Sequence, residues 1–506
     1  MKIVLIRPAT ITTAMAVGED AAPPIGLAYV AASLRHGGNA VSIVDALGDG
    51  LNEYHRVPEL PTGLRHGLSD DEIISRIPRD TEMVGIGAMF SLEWPFTRSL
   101  IQSLRKKFPT VTIIAGGEHV TALPEYCLED CPELDFCVLG EGDESATELA
   151  AALEGGTDLH NVSGLCMRDG DECVRTANRG RVRAVQELPR PAWDLVPMDN
   201  YLDAGVMTGV NFGRSMPMLA SRGCPYQCTF CSNPGMWGTL WRVRPEADVF
   251  AEMMDYARTF RATNFDFHDL TAIVRRDWIK NFCNLIIDSG EDITWQLPSG
   301  TRSEALDSEI TALLYKSGCR YVNYAPESGS ERSLKSIKKK INKKVMLGSM
   351  RGGVANGLNI KANMILGFPD ESLADIIQSL LFIANMALIG INDVSVFPFS
   401  PYPGSEIFEQ LRANGAVSLG DRYFYSLSQY TDPQYTKSYC GPISNAGLRW
   451  LCLGAMALFY ALSYMRRPWR FANLAREVWS MKPKTKLGDA LVRIRKKRRR
   501  FVMAHE

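Results

Sequence analysis

The sequence predicts an α/β protein: a doubly wound, Rossmann-like parallel sheet over residues 1–150, then a partial (β/α)6 barrel over 210–410, then a helical, basic region over 411–506, with 151–209 as linker. Three observations carry this reading. Short apolar runs alternate with helical patterns through the first third of the chain. From residue 210 the alternation repeats with a period of about thirty residues, the length of one β/α barrel unit. After Gly404 the alternation stops and long helical patterns replace it.

The first strand is the apolar run through Val4, Leu5 and Ile6, ended by Arg7-Pro8. A helical pattern follows from Ile25 to Leu34, then Gly37-Gly38, then a second strand, Val41–Val44, closing on Asp45. Further strands are expected at Met83–Gly87, Val111–Ala115 and Phe136–Leu139. In such a sheet ligands bind beyond the carboxyl ends of the strands. Those ends carry Ser91, the run Gly116-Gly117-Glu118-His119-Val120-Thr121, and Gly140-Glu141-Gly142. Glycines there let backbone approach a ligand closely, and serve equally well as tight turns. The linker has a hairpin-like stretch at Gly164–Arg175, followed by a proline-dense strap at 188–197.

The most specific feature is Cys224-Pro-Tyr-Gln-Cys228-Thr-Phe-Cys231, preceded by Arg222-Gly223. Three cysteines at this spacing on one loop can converge on three irons of a 4Fe–4S cluster, leaving the fourth iron open. A zinc site would want a fourth ligand at companion spacing, and none is nearby. Twelve cysteines in 506 residues are too sparse for a disulfide framework and fit a reducing cytoplasm.

This C-x-x-x-C-x-aromatic-C run, with Phe230 as its aromatic, resembles the signature of the radical S-adenosylmethionine (SAM) enzymes. Successive strand-to-helix turns agree in order. His268-Asp269 stands where that family places acids near the methionyl amino group, and only Asp269 carries over. Arg302 matches the strand-end arginine near the SAM carboxylate. Glu327-Ser328-Gly329-Ser330 looks like the turn contacting ribose and amino acid, and Gly367-Phe-Pro-Asp-Glu371 like the turn near adenine. Pro401-Tyr-Pro-Gly404 is another family turn. The first domain, with PPIGLAYVAASL at 23–34, the GG-x-H-x-T turn and the later GEG turn, resembles the cobalamin-binding domains that precede such barrels. The resemblance implies cobalamin contacts at Ser91, Gly116, Gly117, His119, Gly140 and Glu141. Asp266-Phe267-His268 lacks the following glycine and lies outside this domain, and no D-x-H in the chain is completed to D-x-H-x-x-G, so no histidine of that motif is expected to ligate cobalt.

Formal net charge is −1, which points to no polyanionic partner, but residues 466–500 carry 14 Lys and Arg against Glu477 and Asp489. The run Trp450–Met465 is apolar and, at 16 residues, shorter than the roughly 20 that cross a bilayer. Beyond it Phe471, Leu474, Ala475, Val478 and Trp479 share one helix face, and Arg493–Arg500 holds seven basic residues in eight. One reading is peripheral contact with an anionic membrane through 448–500, on the inner face. The other is that these helices cap the barrel and the basic end is solvated. Aromatics are not interleaved with the basic run, so nucleic acid is not expected.

The resemblance to cobalamin-binding radical SAM enzymes, of the class B methyltransferase type, implies three cofactors: a 4Fe–4S cluster, SAM and cobalamin. It implies C-methylation of an unactivated carbon, with a flavodoxin- or ferredoxin-type electron donor. The tail makes an apolar substrate, such as a polycyclic isoprenoid or a tetrapyrrole, the expected class. Oxidative cyclisation or rearrangement with the same cofactors, and a cobalamin or redox sensor, are the alternatives. No residue is assigned as a catalytic base.

Overall fold

The computed structural model describes residues 1–13, 22–182, 184–236, 238–271, 273–302 and 305–503, with side chains described as far as Arg495. The first sheet contains β1 (Lys2–Arg7), β2 (Ala40–Asp45), β3 (Met83–Gly87), β4 (Thr112–Gly116), β5 (Phe136–Val138), β6 (Leu165–Asp169) and β7 (Glu172–Arg175), in the order β7-β6-β5-β4-β3-β1-β2. The first five strands are mutually parallel, as the sequence leads one to expect. Ile3, Val4, Leu5 and Ile6 are each at most 2% exposed, the mark of a strand covered on both faces. The strand order reverses between β1 and β3, which opens a crevice above Arg7 and Gly87.

The hairpin expected at Gly164–Arg175 is present, and it is part of this sheet. β6 pairs antiparallel with β5, placing Cys166 opposite Cys137, so the sheet continues beyond residue 150 into the segment expected to be linker.

The barrel consists of β8 (Ser215–Met218), β9 (Asn264–Phe267), β10 (Thr294–Thr301), β11 (Cys319–Glu327), β12 (Asn359–Leu366) and β13 (Asp393–Pro398), parallel and in sequential order. The pleat sorts their side chains. On β12, Ile360, Ala362, Met364 and Leu366 are buried against the helices, while Asn359, Lys361, Asn363 and Ile365 take the lumen face and are half-buried. Register breaks in β10 and β11 end in Thr301-Arg302 and in Glu327, which has a left-handed φ of 65°.

Helix Asn445–Arg466 lies over β13 and against helix Leu373–Ile389, burying Leu448, Cys452, Ala455 and Phe459. The chain then closes the amino-terminal end of the barrel. The Lys486 and Leu487 amides donate to Asp393 (2.9 and 3.2 Å), and Lys486 Nζ donates to the carbonyls of Thr208 and Gly209 (2.9 and 3.0 Å). A cleft of about 480 Å³ lined by Asp393, Tyr464, Trp469 and Glu477 lies at this closed end, away from the cysteine loop.

Besides their own cores, sheet and barrel meet in a common apolar cluster. Ala88, Val120 and Cys127 of the first domain pack in the same cluster as Phe368, Phe399, Phe408 and Phe424. The carboxyl ends of both sets of strands therefore face each other.

Candidate active site between the sheet and the barrel

The cysteine loop leaves β8 and turns at Gly223, whose φ of 83° favours glycine. Backbone bonds pin it on two sides: the Thr229 amide donates to Ile337 O (3.1 Å), and Thr229 O accepts from the Ile407 amide (3.0 Å). All three thiols are free and half-buried. Burial pushes them up, Cys231 to about 12, and the nearby cations of Lys339 and Arg302 oppose this at Cys224 and Cys228. Lys339 Nζ lies 2.9 Å from Glu327 Oε1 and 5.9 Å from the centre of the Phe230 ring. The Arg302 guanidinium sits 3.4 Å above the Tyr226 ring. Thr229 Oγ1, both polar atoms of Asn233 and Thr271 Oγ1 are buried without a hydrogen-bond partner among the described residues. Three convergent thiols, flanking cations that favour thiolate and unsatisfied polar atoms fit an iron–sulfur cluster held by Cys224, Cys228 and Cys231. Such a cluster, when bound, supplies the single electron that cleaves SAM.

The six residues expected near SAM divide into two groups. Phe230, Arg302 and Glu327 gather beside the thiols, the last through Lys339. Asp269, Ser328 and Gly367 have structural partners. Asp269 is 1% exposed and accepts from the Ala220 amide (3.1 Å) and Ser221 Oγ (2.5 Å), fixing the base of the cysteine loop to β9. Burial pushes its pKa to about 6. Ser328 Oγ lies 3.2 Å from Ser379 Oγ and accepts from the Ser330 amide. The Gly367 amide donates to Glu371 Oε2 (2.8 Å), its φ is 88°, and a Cβ there would stand 2.8 Å from Leu448. Lys339 was not legible in the sequence, where it reads as one of three consecutive lysines.

Across from the thiols, the carboxyl edge of the first sheet is floored by glycine. A Cβ on Gly26 would meet nothing within 4 Å, and on Gly87 and Gly116 nothing nearer than 3.6 and 3.9 Å. At Gly117, with φ 129°, a Cβ would strike Ala88 O at 2.6 Å, so only glycine turns the chain here. Met89 and Phe90 stand exposed after β3. This open shelf with an apolar rim fits a broad, flat macrocycle such as cobalamin, whose chemistry when bound is to carry a methyl group.

His119 is 1% exposed, wedged between Trp94 and Phe424 with ring centres at 5.0 and 5.3 Å, and its Nδ1 is 2.9 Å from Ser91 Oγ. Burial lowers its pKa to about 3, so the ring is neutral. Gly140 and Glu141 face the barrel. The Gly140 amide donates to Thr121 Oγ1 (3.0 Å). Glu141 accepts from both terminal nitrogens of Arg242 (2.9 and 3.0 Å) and from the Val182 amide (2.9 Å). Its neighbour Asp143 is held by Arg222 at 2.7 and 3.2 Å. All four side chains are at most 5% exposed, and they join the two domains directly behind Cys224. On this side Glu118 approaches Cys231, and Ala122 packs on Gly404.

The fold and site thus define an iron–sulfur barrel enzyme whose second, ligand-binding α/β domain faces the cysteine loop. Comparisons with known proteins agree. Residues 11–150 match the B12 binding domain and residues 218–383 the Radical SAM superfamily. An uncharacterized methyltransferase of Pyrococcus horikoshii is 29% identical over 419 residues, 82% of this chain and 84% of the relative. Cytidylyl-2-hydroxyethylphosphonate methyltransferase of Streptomyces wedmorensis is 28% identical, over 78% of each chain. The anaerobic magnesium-protoporphyrin IX monomethyl ester cyclase of Synechocystis is 27% identical over 67% of this chain and 63% of the relative. The radical SAM methyltransferase TsrM of Kitasatospora setae, solved with cobalamin and a [4Fe-4S] cluster, shares the fold, with a TM-score of 0.64 at 15% identity over 91% of this chain and 88% of that one. The chain belongs to the cobalamin-dependent radical SAM enzymes.

Proposed function

We propose that the protein is a radical C-methyltransferase acting on an unactivated carbon of an apolar substrate, a polycyclic isoprenoid or a tetrapyrrole. The observation that carries the reading is the opposition of the glycine-floored shelf to the cysteine loop. A methyl carrier on one side and a radical source on the other open on the same space, so one substrate carbon reaches both. Cys224, Cys228 and Cys231 hold the cluster. Phe230, Arg302 and the Glu327–Lys339 pair line the SAM side, with Asp269, Ser328 and Gly367 shaping the turns beneath it. Ser91, Gly116, Gly117 and His119 floor the cobalamin side, and Gly140 and Glu141 lock it to the barrel. His119, neutral and buried, supports the shelf from inside the core. A flavodoxin- or ferredoxin-type protein supplies electrons in the cytoplasm, and residues 448–500 bring the enzyme to the inner face of the membrane.

The test uses reconstituted enzyme, reductant and SAM carrying a deuterated methyl group, with candidate apolar substrates. Methyl transfer gives a labelled product together with both S-adenosylhomocysteine and 5′-deoxyadenosine. Formation of 5′-deoxyadenosine and a modified but unlabelled product would replace this reading with oxidative cyclisation, which the similarity to the cyclase favours.

A further inference from the structure

Two neighbouring helices of the barrel wall present an uncharged apolar surface. On Leu373–Ile389 the only charged residue is Asp375, which is buried and bound to Ser330, Ser372 and Arg332, while Leu373, Ile377 and Leu381 are 56–60% exposed. On Asn445–Arg466 the stretch Trp450–Met465 has no charged residue, and Trp450 and Met465 are 66% and 71% exposed. The helices run side by side in the same direction, since Leu448 packs at Gly367 near the start of one and Arg467 donates to Ala387 O and Ile389 O near its end. The longer helix, of 22 residues, spans ~33 Å, so the surface extends the height of the barrel from the catalytic rim to the closed end.

Basic charge collects at the closed end. Arg466, Arg476, Lys482 and Lys484 make no ion pair among the described residues, and beyond them the sequence adds Arg493–Arg500. Trp469, Phe471 and Trp479 are 60–82% exposed on the intervening helix, Trp469–Ser480. An uncharged aliphatic face beside exposed tryptophans and a polybasic segment matches the layering of an anionic bilayer surface. Exposed apolar side chains grouped on neighbouring helices mark surfaces that meet a partner or a membrane.

Asn445–Arg466 is long and apolar enough to cross a membrane, yet its face of Leu448, Cys452, Ala455 and Phe459 is built into the barrel core. It is anchored to the wall and lies along the surface.

We infer that the barrel docks on its side against an anionic lipid bilayer, through the joint face of helices Leu373–Ile389 and Asn445–Arg466 with the basic carboxyl-terminal region as its electrostatic clamp. This rests on the reading of an apolar substrate and specifies it. The docked face reaches the catalytic rim, where Leu373 lies two residues after the Gly367–Glu371 turn, so a lipid-dissolved substrate enters from the membrane plane.

The test is co-sedimentation of the full-length reconstituted enzyme with phosphatidylglycerol–phosphatidylcholine vesicles, compared with phosphatidylcholine alone. Binding is expected to anionic vesicles, to weaken with salt, and to fall about tenfold or more in the double variant Ile377→Glu/Leu381→Glu. Both side chains are more than half exposed on the outer wall, so the variant is expected to retain its cluster absorbance and its substrate-free formation of 5′-deoxyadenosine. Equal binding to both vesicle types, no binding to either, or undiminished binding by the variant overturns the inference. Resistance to alkaline carbonate extraction would show a spanning helix and overturn it too, as would dimerisation in solution that the double variant abolishes. None of these readouts needs the substrate, so the inference and the methyl-transfer reading fail separately.

Discussion

Replacing Arg242 by Met removes the guanidinium that spans both oxygens of Glu141 while keeping most of the side chain's length. In the wild type those oxygens lie 2.9 and 3.0 Å from Arg242, and both side chains are at most 5% exposed. The variant leaves Glu141 with the Val182 amide and an Arg222 nitrogen at 3.5 Å. Stripping one partner from a buried pair costs about 3–5 kcal/mol, because the remaining charge stays desolvated. The residual contacts place the expected loss near the lower limit, about 3 kcal/mol, or roughly two decades in the unfolding equilibrium. Urea unfolding reports the loss, and limited proteolysis of the 151–209 segment reports loosening of the two domains. The double variant Arg242→Met/Glu141→Leu removes both charges and is expected to recover most of the stability. An unchanged midpoint for Arg242→Met, or a double variant less stable than the single, would refute the role assigned to this pair.

Four further outcomes follow from the structure. Cys228→Ala abolishes SAM cleavage in the reconstituted enzyme, measured as 5′-deoxyadenosine, whereas a sensor would show none to lose. Gly367→Ala forces a side chain into φ 88° and against Leu448, and is expected to cost about 1–3 kcal/mol by thermal unfolding, partly relieved by Leu448→Ala. Asp266 and Asp269 are both raised to about 6 by burial, so between about pH 4 and 6 these two groups bind more protons in the folded chain than in the unfolded chain, and their contribution to stability falls as pH rises. Asp266→Asn is expected to make the pH dependence of stability across that window less negative than in the wild type, by urea unfolding. Lys339→Met leaves Glu327 without its cation and lowers the yield of SAM cleavage, while Lys339→Arg restores part of it.

The strands, their parallel order and the cysteine loop were legible because each rests on local pattern: unbroken apolar runs, turn residues at their ends, and ligand spacing within eight residues. Glu141 shows where local pattern stops. Its place in a GEG turn is visible in the sequence, but its partner Arg242 is about a hundred residues away, and only folding shows that the carboxylate ties two domains together. Lys339 is hidden for the same reason, since nothing in Lys338-Lys339-Lys340 tells which ammonium is buried on Glu327. The apolar run of helix Leu373–Ile389 does not tell which of its faces is buried, and its exposed face emerges only once its packing is known. The hairpin at 165–175 was legible as a hairpin, while its place at the edge of the first sheet depended on pairing with β5, which no periodicity encodes.

The central claim is that one chain brings cobalamin and the radical-generating cluster together. Anaerobic reconstitution with iron, sulfide and hydroxocobalamin, followed by dithionite reduction with SAM and mass spectrometry, tests it most directly. The account predicts cobalamin retained in proportion to protein through gel filtration, together with 5′-deoxyadenosine. SAM cleavage by an intact cluster with no cobalamin retained would contradict it, and methyl transfer would fall with it.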